Sequence, residues 1–342
     1  MLRSWGLSIA LAFFPLAPAA RAQSAAATPY KYFRVGNAKD ASVKPHAGYA
    51  LMGGGKDLDE AFQWLCGRAP GGDLLVLRAG GGDDYNPYIR KLCKLNSVAT
   101  LILPTRAAAE DPFAAKTISS ADVIFIAGGD QANYINFWMG TPVQTALNDA
   151  ILRGIPIGGT SAGLAVLGEY AYSAQGDKPD DKDLDSRTAL ENPFHPRVTL
   201  VRGFLEIPTL EGIITDSHFA KRDRMGRLLA FLARLNSPDN KGQPASAPNI
   251  RGIGIEERAA VLLEPGGHAT VVGYGCAYFV DPYDKPALLA PGKPLTMGEI
   301  GVQKVEPDET FNLDAWEGYA TRYLLSADAG VLHSSAAGGA VY

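Results

Sequence analysis

Gly158-Gly159-Thr160-Ser161-Ala162-Gly163 follows the apolar run Ile155-Pro156-Ile157 and precedes the helix-compatible stretch Leu164 to Leu167. Small residues on both sides of Ser161 permit a sharp turn from strand to helix, which lifts the serine hydroxyl clear of a sheet. Such a turn leaves the amide of Ala162 free to donate to an oxyanion. The stretch predicts Ser161 as a nucleophile, although glycine-rich turns of this kind also occur as plain connections or phosphate-binding loops.

Short apolar runs alternate with helical patterns on both sides of this turn. This alternation is typical of βαβ units and a mostly parallel sheet. From Arg251 onward the pattern changes to short strands joined by turns. We therefore predict an α/β fold, flavodoxin-like or class I glutamine amidotransferase-like, with a mostly parallel sheet flanked by helices and additional C-terminal β-strands. The predicted strands cover residues 48–52, 74–77, 98–103, 121–127 and 212–215.

Two further polar stretches follow predicted strands and are expected near Ser161. Gly128-Gly129-Asp130-Gln131 ends one strand and Asp216-Ser217-His218 ends another. Ligands of parallel sheets gather at the carboxyl ends of strands. The amide of Gly129 is expected to complete an oxyanion hole with Ala162. Of the five histidines, His218 is the preferred base for Ser161, ahead of His195 in a loop, because it alone follows a predicted strand.

The chain ends differ from the central part in composition. Arg3, an apolar run from Leu7 to Leu16 and Ala20-Arg21-Ala22 have the order of a secretory signal peptide, with cleavage expected before Gln23. We predict a signal peptide over residues 1–22, an irregular lead-in over 23–46, one domain over 47–325 and a flexible tail over 326–342. The mature protein is expected to be secreted or periplasmic and free of the membrane.

Charge and cysteine usage exclude several classes of partner. Loss of the signal peptide deletes two arginines and no acidic residue, so the formal net charge moves from -4 to -6. This balance argues against nucleic acid as a partner. Cys66, Cys93 and Cys276 lack metal-site spacing, so no metal is predicted; Cys66 and Cys93 either form a disulfide or stay reduced. The Asp-rich stretch from Asp177 to Asp185 lacks the glycine and glutamate of a calcium loop and is expected to be a solvated surface loop.

These motifs together resemble the cyanophycinase-like serine peptidases, peptidase family S51, in their extracellular branch. The resemblance runs over about residues 48–280 and rests on five blocks in order: Leu51 to Gly55, Phe125 to Gln131, Gly159 to Gly163, Asp216 to Arg227, and Gly252 to Glu257. It implies a cofactor-free hydrolase that cleaves cyanophycin, a poly-aspartate chain with arginine on each side chain, into β-Asp-Arg dipeptides. The implied partner is this polymer or a β-aspartyl peptide; a homodimer is a further expectation.

Carried over position by position, the resemblance assigns roles to the residues of these blocks. It implies Ser161 as nucleophile and His218 as base. The substrate contacts that it implies are Gln131, Asp216, Arg222, Arg224, Arg227 and Glu257.

Two departures from the family pattern limit these assignments. Ser217 stands where the family commonly has glutamine. The third triad member is usually a glutamate before an Asn-Pro pair, and one alignment places Thr188 there; we predict Glu191 instead, with Asp185 as the next choice.

Three alternatives stay open at this point. One is an isoaspartyl or aspartyl dipeptidase that acts on small peptides. A second is a catalytically inactive homologue that only binds peptide. The third, an α/β-hydrolase esterase, is disfavoured because a His-Gly-Gly oxyanion segment is missing.

Overall fold

The computed structural model describes residues 1–2, 28–178, 181, 183–237 and 249–342. Apart from Met1 and Leu2, the predicted signal peptide and its cleavage site lie outside the described residues.

Two sheets form the framework of the described chain. The strands are β1 (Lys31–Gly36), β2 (Tyr49–Met52), β3 (Asp73–Arg78), β4 (Ser97–Ile102), β5 (Val123–Ile126), β6 (Ile157–Thr160), β7 (Tyr170–Tyr172), β8 (Leu200–Arg202), β9 (Ile213–Asp216), β10 (Arg251–Ile255), β11 (Ala259–Leu263), β12 (His268–Gly273), β13 (Ala277–Pro282), β14 (Pro286–Leu288), β15 (Thr296–Val305), β16 (Thr310–Asn312), β17 (Glu317–Gly318), β18 (Thr321–Asp328) and β19 (Val331–Ser334).

Helices cover the faces of these sheets. They are α1 (Asp59–Gly67), α2 (Tyr85–Leu92), α3 (Arg106–Glu110), α4 (Pro112–Ser119), α5 (Gln131–Trp138), α6 (Pro142–Leu152), α7 (Ala162–Ala165), α8 (Ser186–Glu191) and α9 (Met225–Leu235). None of the helices in the described part of the chain has the length and apolar character that a membrane crossing requires.

The first sheet has the strand order β1-β4-β3-β5-β6-β2-β11-β12-β16-β17. Its five strands from β4 to β2 run parallel. They are apolar and buried, because helices cover both faces of such a sheet. β6 lies between β5 and β2, so Ser161 emerges from the middle of the sheet at its carboxyl edge.

The second sheet has the order β19-β18-β15-β13-β10-β9-β7-β8. Its β7, β9 and β10 are parallel, whereas the strands from β13 onward are antiparallel. The predicted α/β class with additional C-terminal strands is confirmed, and these strands extend both sheets.

Two short hydrogen bonds join the sheets at the edge where Ser161 lies. The amide of His218 donates to the carbonyl of Gly53 at 2.8 Å, and Thr215 Oγ1 donates to the carbonyl of Leu164 at 2.8 Å. The loop after β2 and the start of α7 are therefore fixed against the carboxyl end of β9.

Both segments that the sequence predicted to be irregular contain a strand. The lead-in contains β1, which pairs antiparallel with β4 over six residue pairs from Lys31↔Ile102 to Gly36↔Ser97. β1 is an edge strand, so its side chains are either exposed or half-buried. Its sequence therefore lacks the apolar run by which the buried strands were predicted. The segment predicted as a flexible tail includes β19, and the Tyr342 hydroxyl accepts a hydrogen bond from the Met225 amide. Both predictions of irregular ends are therefore corrected.

Cys66 and Cys93 form a disulfide, with Cα atoms 6.2 Å apart. It connects the end of α1 to the residue after α2, and both cysteines are buried. Cys276 is a free thiol, and burial raises its pKa to about 11.

We expect reduction of this disulfide to destabilise the protein by roughly 3 to 4 kcal/mol, because the crosslink closes a loop with a sequence separation of 27 residues in the unfolded chain. Urea unfolding with and without dithiothreitol measures the difference. A Cys276→Ser variant, the control, should show the same loss on reduction, and a Cys66→Ser/Cys93→Ser variant should show none. Equal midpoints with and without dithiothreitol in the wild-type chain would contradict the prediction.

Candidate active site

Ser161 has the backbone conformation of a nucleophile elbow. Its φ of 54° and ψ of −115° lie in a region that residues with a side chain rarely adopt. Close backbone contacts on both sides of Ser161 explain why residues 159 and 163 are glycines. A Cβ on Gly159 would lie 2.6 Å from the backbone of Gly163, and a Cβ on Gly163 would lie 2.0 Å from the carbonyl oxygen of Ile126. The strain at Ser161 is thus held by close backbone packing.

Ser161, His218 and Glu257 are hydrogen-bonded in a row. Ser161 Oγ lies 2.7 Å from His218 Nε2, and His218 Nδ1 lies 2.7 Å from Glu257 Oε1. The carboxylate fixes the tautomer, because Nδ1–H must donate to it and Nε2 is then free to accept the serine proton. This is the arrangement of an activated serine, a base and an orienting carboxylate.

The pairing of two strands brings the imidazole and this carboxylate together. β9 and β10 are parallel neighbours with Asp216 opposite Gly254. His218 therefore follows the carboxyl end of β9, and Glu257 follows the carboxyl end of the adjacent strand β10. The neighbouring Glu256 fixes this turn, because its carboxylate accepts from the Cys276 amide at 3.0 Å and from the Tyr278 hydroxyl at 2.6 Å.

Glu191 does not occupy the position that the sequence assigned to it. It lies at the end of α8, where its exposed carboxylate accepts from Arg187 Nε at 2.8 Å. Asp185, the second choice, caps the start of α8 by accepting from the Thr188 amide. The prediction of Glu191 as the carboxylate beside His218 is wrong. Glu257, predicted as a substrate contact, takes this place.

Burial lowers the pKa of His218 below its ordinary value of 6.5. The hydrogen bond to Glu257 opposes this shift, whereas the nearby Arg222 and Arg224 guanidiniums add to it. The imidazole is therefore neutral at pH 7, as a general base must be. Since the folded pKa lies below the unfolded one, the contribution to stability is present above the unfolded value and is lost as the pH falls through the folded pKa.

We expect the acid limb of kcat/KM to lie below pH 6.5, because kcat/KM reports the base of the free enzyme. Arg222→Gln removes one positive charge near His218 and should move this limb to higher pH, whatever it does to kcat/KM at the plateau. Arg187→Gln on exposed α8 is the matched control and should leave the limb in place. A limb above pH 6.5 in the wild-type enzyme would contradict the assignment.

The three glycines after β2 lie against the His218–Glu257 pair. A Cβ on Gly54 would lie 2.6 Å from Cε1 and Nε2 of His218, and a Cβ on Gly55 would lie 3.1 Å from Cβ of Glu257. Gly54 also has a φ of +94°, which favours glycine. These glycines let the backbone pass directly beside the imidazole, a role that the sequence analysis did not assign.

Gly54→Ala is expected to lower kcat/KM by at least about a hundredfold, because the new methyl group must displace the imidazole from Ser161. Gly71→Ala is the matched control: Gly71 has a similar φ of +75° but no heavy atom within 4 Å of a built Cβ. Gly71→Ala should lose thermal stability through backbone strain alone and keep its activity, whereas Gly54→Ala should lose at least as much stability and lose activity as well. Equal kcat/KM values for the two variants would show that Gly54 does not position His218.

The predicted oxyanion donors lie beside the nucleophile. A Cβ on Gly128 would be 3.5 Å from Cβ of Ser161, so the Gly128-Gly129 turn adjoins the elbow. The Tyr134 hydroxyl contacts the carbonyls of Ala127 and Gly128 at 2.8 and 3.2 Å, which holds the turn in place. Gly129 and Ala162 line the same cavity as Ser161.

This cavity has a volume of about 600 Å³, and its lining contains side chains of both charges. Arg222 and Arg224 belong to the lining, and both contact the Asp183 carboxylate. The remaining lining includes Gln131 and three acidic side chains, Asp130, Asp177 and Asp181. A ligand that carries both carboxylate and guanidinium groups matches this lining.

Asp216 and Arg227 form a buried ion pair. Arg227 donates from Nε and Nη2 to the two carboxylate oxygens at 2.7 and 2.5 Å, and both residues are 2% exposed. Arg227 Nη1 donates to the carbonyl of Leu184. Their polar atoms are thus used inside the protein. Asp216 and Arg227 were predicted to contact the substrate, and this prediction is corrected. The ion pair supports the wall of the cavity, and of the two residues only Arg227 lines the cavity.

Arg224 is more buried than Arg222, whose side chain is 40% exposed. The Arg224 side chain is 7% exposed, and burial beside Arg227 lowers its pKa to about 10. Nη1 donates to the Ser217 carbonyl at 2.8 Å, and the Ser217 hydroxyl lies within 3.3 Å. Serine at position 217 therefore contacts Arg224.

Within the described chain, no cluster of His, Cys, Asp or Glu is arranged to hold a metal ion.

Comparisons with known proteins show what this chain is similar to. Peptidase family S51 matches residues 74–194. A cyanophycinase from Synechococcus elongatus is 27% identical over 285 residues, which span 78% of this chain and 80% of that protein. One from Geminocystis herdmanii is 25% identical over 66% of this chain and 75% of its own length. A solved peptidase from an acI-B1 Actinobacterium is 17% identical with a TM-score of 0.48, over 79% of this chain and 98% of that one.

The matched family and the relatives over most of the chain define a hydrolase of the serine-type peptidase class. Over residues 74–194 the chain is similar to peptidase family S51, and over most of its length it is similar to proteins named cyanophycinase.

Proposed function

We propose that this peptidase hydrolyses cyanophycin and releases β-Asp-Arg dipeptides through an acyl-enzyme. The observation that carries the proposal is the cavity beside Ser161, which is lined by both guanidiniums and carboxylates. Each repeat of cyanophycin presents both charges, so a lining that carries both charges complements it. The relatives named as cyanophycinases support the same substrate class.

In the first half of the reaction, Ser161 Oγ attacks the amide carbonyl carbon while His218 Nε2 accepts the hydroxyl proton. Glu257 accepts the Nδ1–H hydrogen bond and stabilises the imidazolium that forms. The amides of Gly129 and Ala162 stabilise the tetrahedral oxyanion. The C–N bond then breaks, and the imidazolium gives its proton to the leaving amine.

The second half restores the enzyme. A water molecule loses a proton to His218 Nε2 and attacks the acyl carbon of the Ser161 ester. Breakage of the C–O bond releases the carboxylic acid product, and the proton returns to Ser161 Oγ. These steps use only side chains and amides of the chain.

We also propose that the protein is exported, with the signal peptide over residues 1–22 removed. The Cys66–Cys93 disulfide supports this localisation, because disulfides persist in oxidising compartments and are rare in the cytosol. A homodimer stays a prediction, which light scattering on the purified protein checks.

The substrate is tested with residues 23–342 and a Ser161→Ala control. Both proteins are incubated separately with insoluble cyanophycin and with the small peptide β-Asp-Leu, and products are identified by mass spectrometry. The expected result is clearing of the polymer and release of β-Asp-Arg by the wild-type protein alone. Cleavage of β-Asp-Leu without release of β-Asp-Arg would overturn the polymer assignment in favour of a small-peptide isoaspartyl dipeptidase. No product from either substrate would overturn both.

A further inference from the structure

Asp183 binds the two cavity arginines with a single carboxylate oxygen. Oδ2 accepts from Arg222 Nη1 at 2.7 Å and from Arg224 Nη2 at 2.9 Å. Burial alone would raise the pKa of Asp183, but the Arg224 and Arg222 guanidiniums outweigh it and lower this pKa to about 2. The chain thus places its own carboxylate in the cavity that contains Ser161.

The Asp183 contact does not use the strongest geometry that arginine can offer to a carboxylate. Arginine binds carboxylates best through two parallel hydrogen bonds to both oxygens. Here each guanidinium gives one donor to the same oxygen, and Arg224 Nε has no hydrogen-bond partner among the described residues. The Asp183 side chain is 48% exposed, so water competes for it. Arg222 is 40% exposed, and an ion pair such as Arg222–Asp183, with both partners exposed, contributes little to stability.

Asp183 can leave the arginines without unfolding the segment that follows it. Leu184 is 1% exposed, and its carbonyl accepts from Arg227 Nη1. Asp185 caps α8. Release therefore requires a rotation of the Asp183 side chain, while the backbone on its carboxyl side stays fixed.

We propose that Asp183 is a built-in competitor that marks the carboxylate subsite of the cavity. A ligand carboxylate that binds Arg222 and Arg224 must take the place of the Asp183 carboxylate. Because the competitor is tethered, it acts at a high effective concentration and reduces the apparent affinity for every ligand that uses this subsite. The inference concerns the site of the proposed peptidase function, but its test needs no turnover.

The test measures binding of succinate, a simple dicarboxylate, by isothermal titration calorimetry. We expect Asp183→Asn to tighten succinate binding about fivefold, since the contacts of Asp183 with Arg222 and Arg224 no longer have to be broken. Asp185→Asn is the matched control. It removes the same charge two residues away and keeps the helix cap, because asparagine caps as well as aspartate. Its affinity should equal that of the wild-type protein.

A double variant distinguishes displacement of the Asp183 carboxylate from a general electrostatic effect of its negative charge. In an Arg222→Gln background one contact of Asp183 is already absent, so adding Asp183→Asn should yield a clearly smaller gain. The same fivefold gain in that background would overturn the inference, as would unchanged or weaker binding by Asp183→Asn alone, or no succinate binding by any variant.

These results are independent of the cyanophycin assay. A protein that binds succinate as expected but releases no β-Asp-Arg would retain the subsite and lose the proposed substrate. In an active enzyme, Asp183→Asn should lower KM, because the competitor opposes ligand binding. A loss of kcat would instead make Asp183 a residue that positions Arg222.

Discussion

Replacement of Ser161 by alanine is expected to lower kcat by about 10⁴ to 10⁶, to the level that binding and oxyanion stabilisation alone provide. The hydroxyl is the atom that bonds to the acyl carbon, and no described side chain other than His218 is hydrogen-bonded to it. His218→Ala should cause a loss of similar size, because the serine proton then has no acceptor.

The two losses should not add. Ser161 and His218 act in one proton transfer across their 2.7 Å contact, so the double variant should be about as slow as either single variant. The measurement is single-turnover release of β-Asp-Arg, with circular dichroism to show that each variant folds. Losses that multiply in the double variant would contradict a shared step.

The sequence predicted that Ser161 and His218 lie together because both positions depend on local signals. The glycines around Ser161 are demanded by backbone contacts within a few residues, and His218 follows a strand whose apolar pattern is clear. The position of these strand ends at one edge follows from the α/β class. Five consecutive parallel strands confirm that reasoning for the first sheet.

The carboxylate was harder to predict because its position depends on the pairing of β9 with β10. Glu257 is 39 residues beyond His218, and only their register in the second sheet brings the two side chains together. Glu191 was chosen from a neighbouring Asn-Pro pair, which carries no information on distance. In the same way, Asp216 and Arg227 were predicted to contact the substrate, whereas in the structure they are buried and bind each other.

The edges of the two sheets explain the errors at the chain ends. β1 and β19 are edge strands with half their side chains exposed, so their sequences lack the apolar run that identifies the central strands. β1 also depends for its hydrogen bonds on β4, which is distant in sequence. Local patterns therefore underestimated the ordered part of the chain.

Glu257→Gln is expected to lower kcat by about 10⁴, since the glutamine side chain no longer selects the imidazole tautomer that accepts a proton at Nε2. An amide NH₂ can donate to Nδ1, which would place the proton on Nε2, facing the Ser161 hydroxyl. Volume and burial change little, so the variant should keep its fold. Glu191→Gln is the matched control, and its kcat should equal that of the wild-type enzyme, because Glu191 contacts only Arg187 on an exposed helix face.

The comparison distinguishes the structural assignment from the one made from sequence. Loss of activity in Glu191→Gln with little change in Glu257→Gln would restore the sequence assignment and contradict the 2.7 Å contact between His218 and Glu257. Glu257→Asp adds a graded step. Its carboxylate keeps the charge but is one methylene shorter, so it should recover part of kcat if the charge stabilises the imidazolium. If Glu257→Asp is as slow as Glu257→Gln, the placement of the carboxylate matters more than its charge.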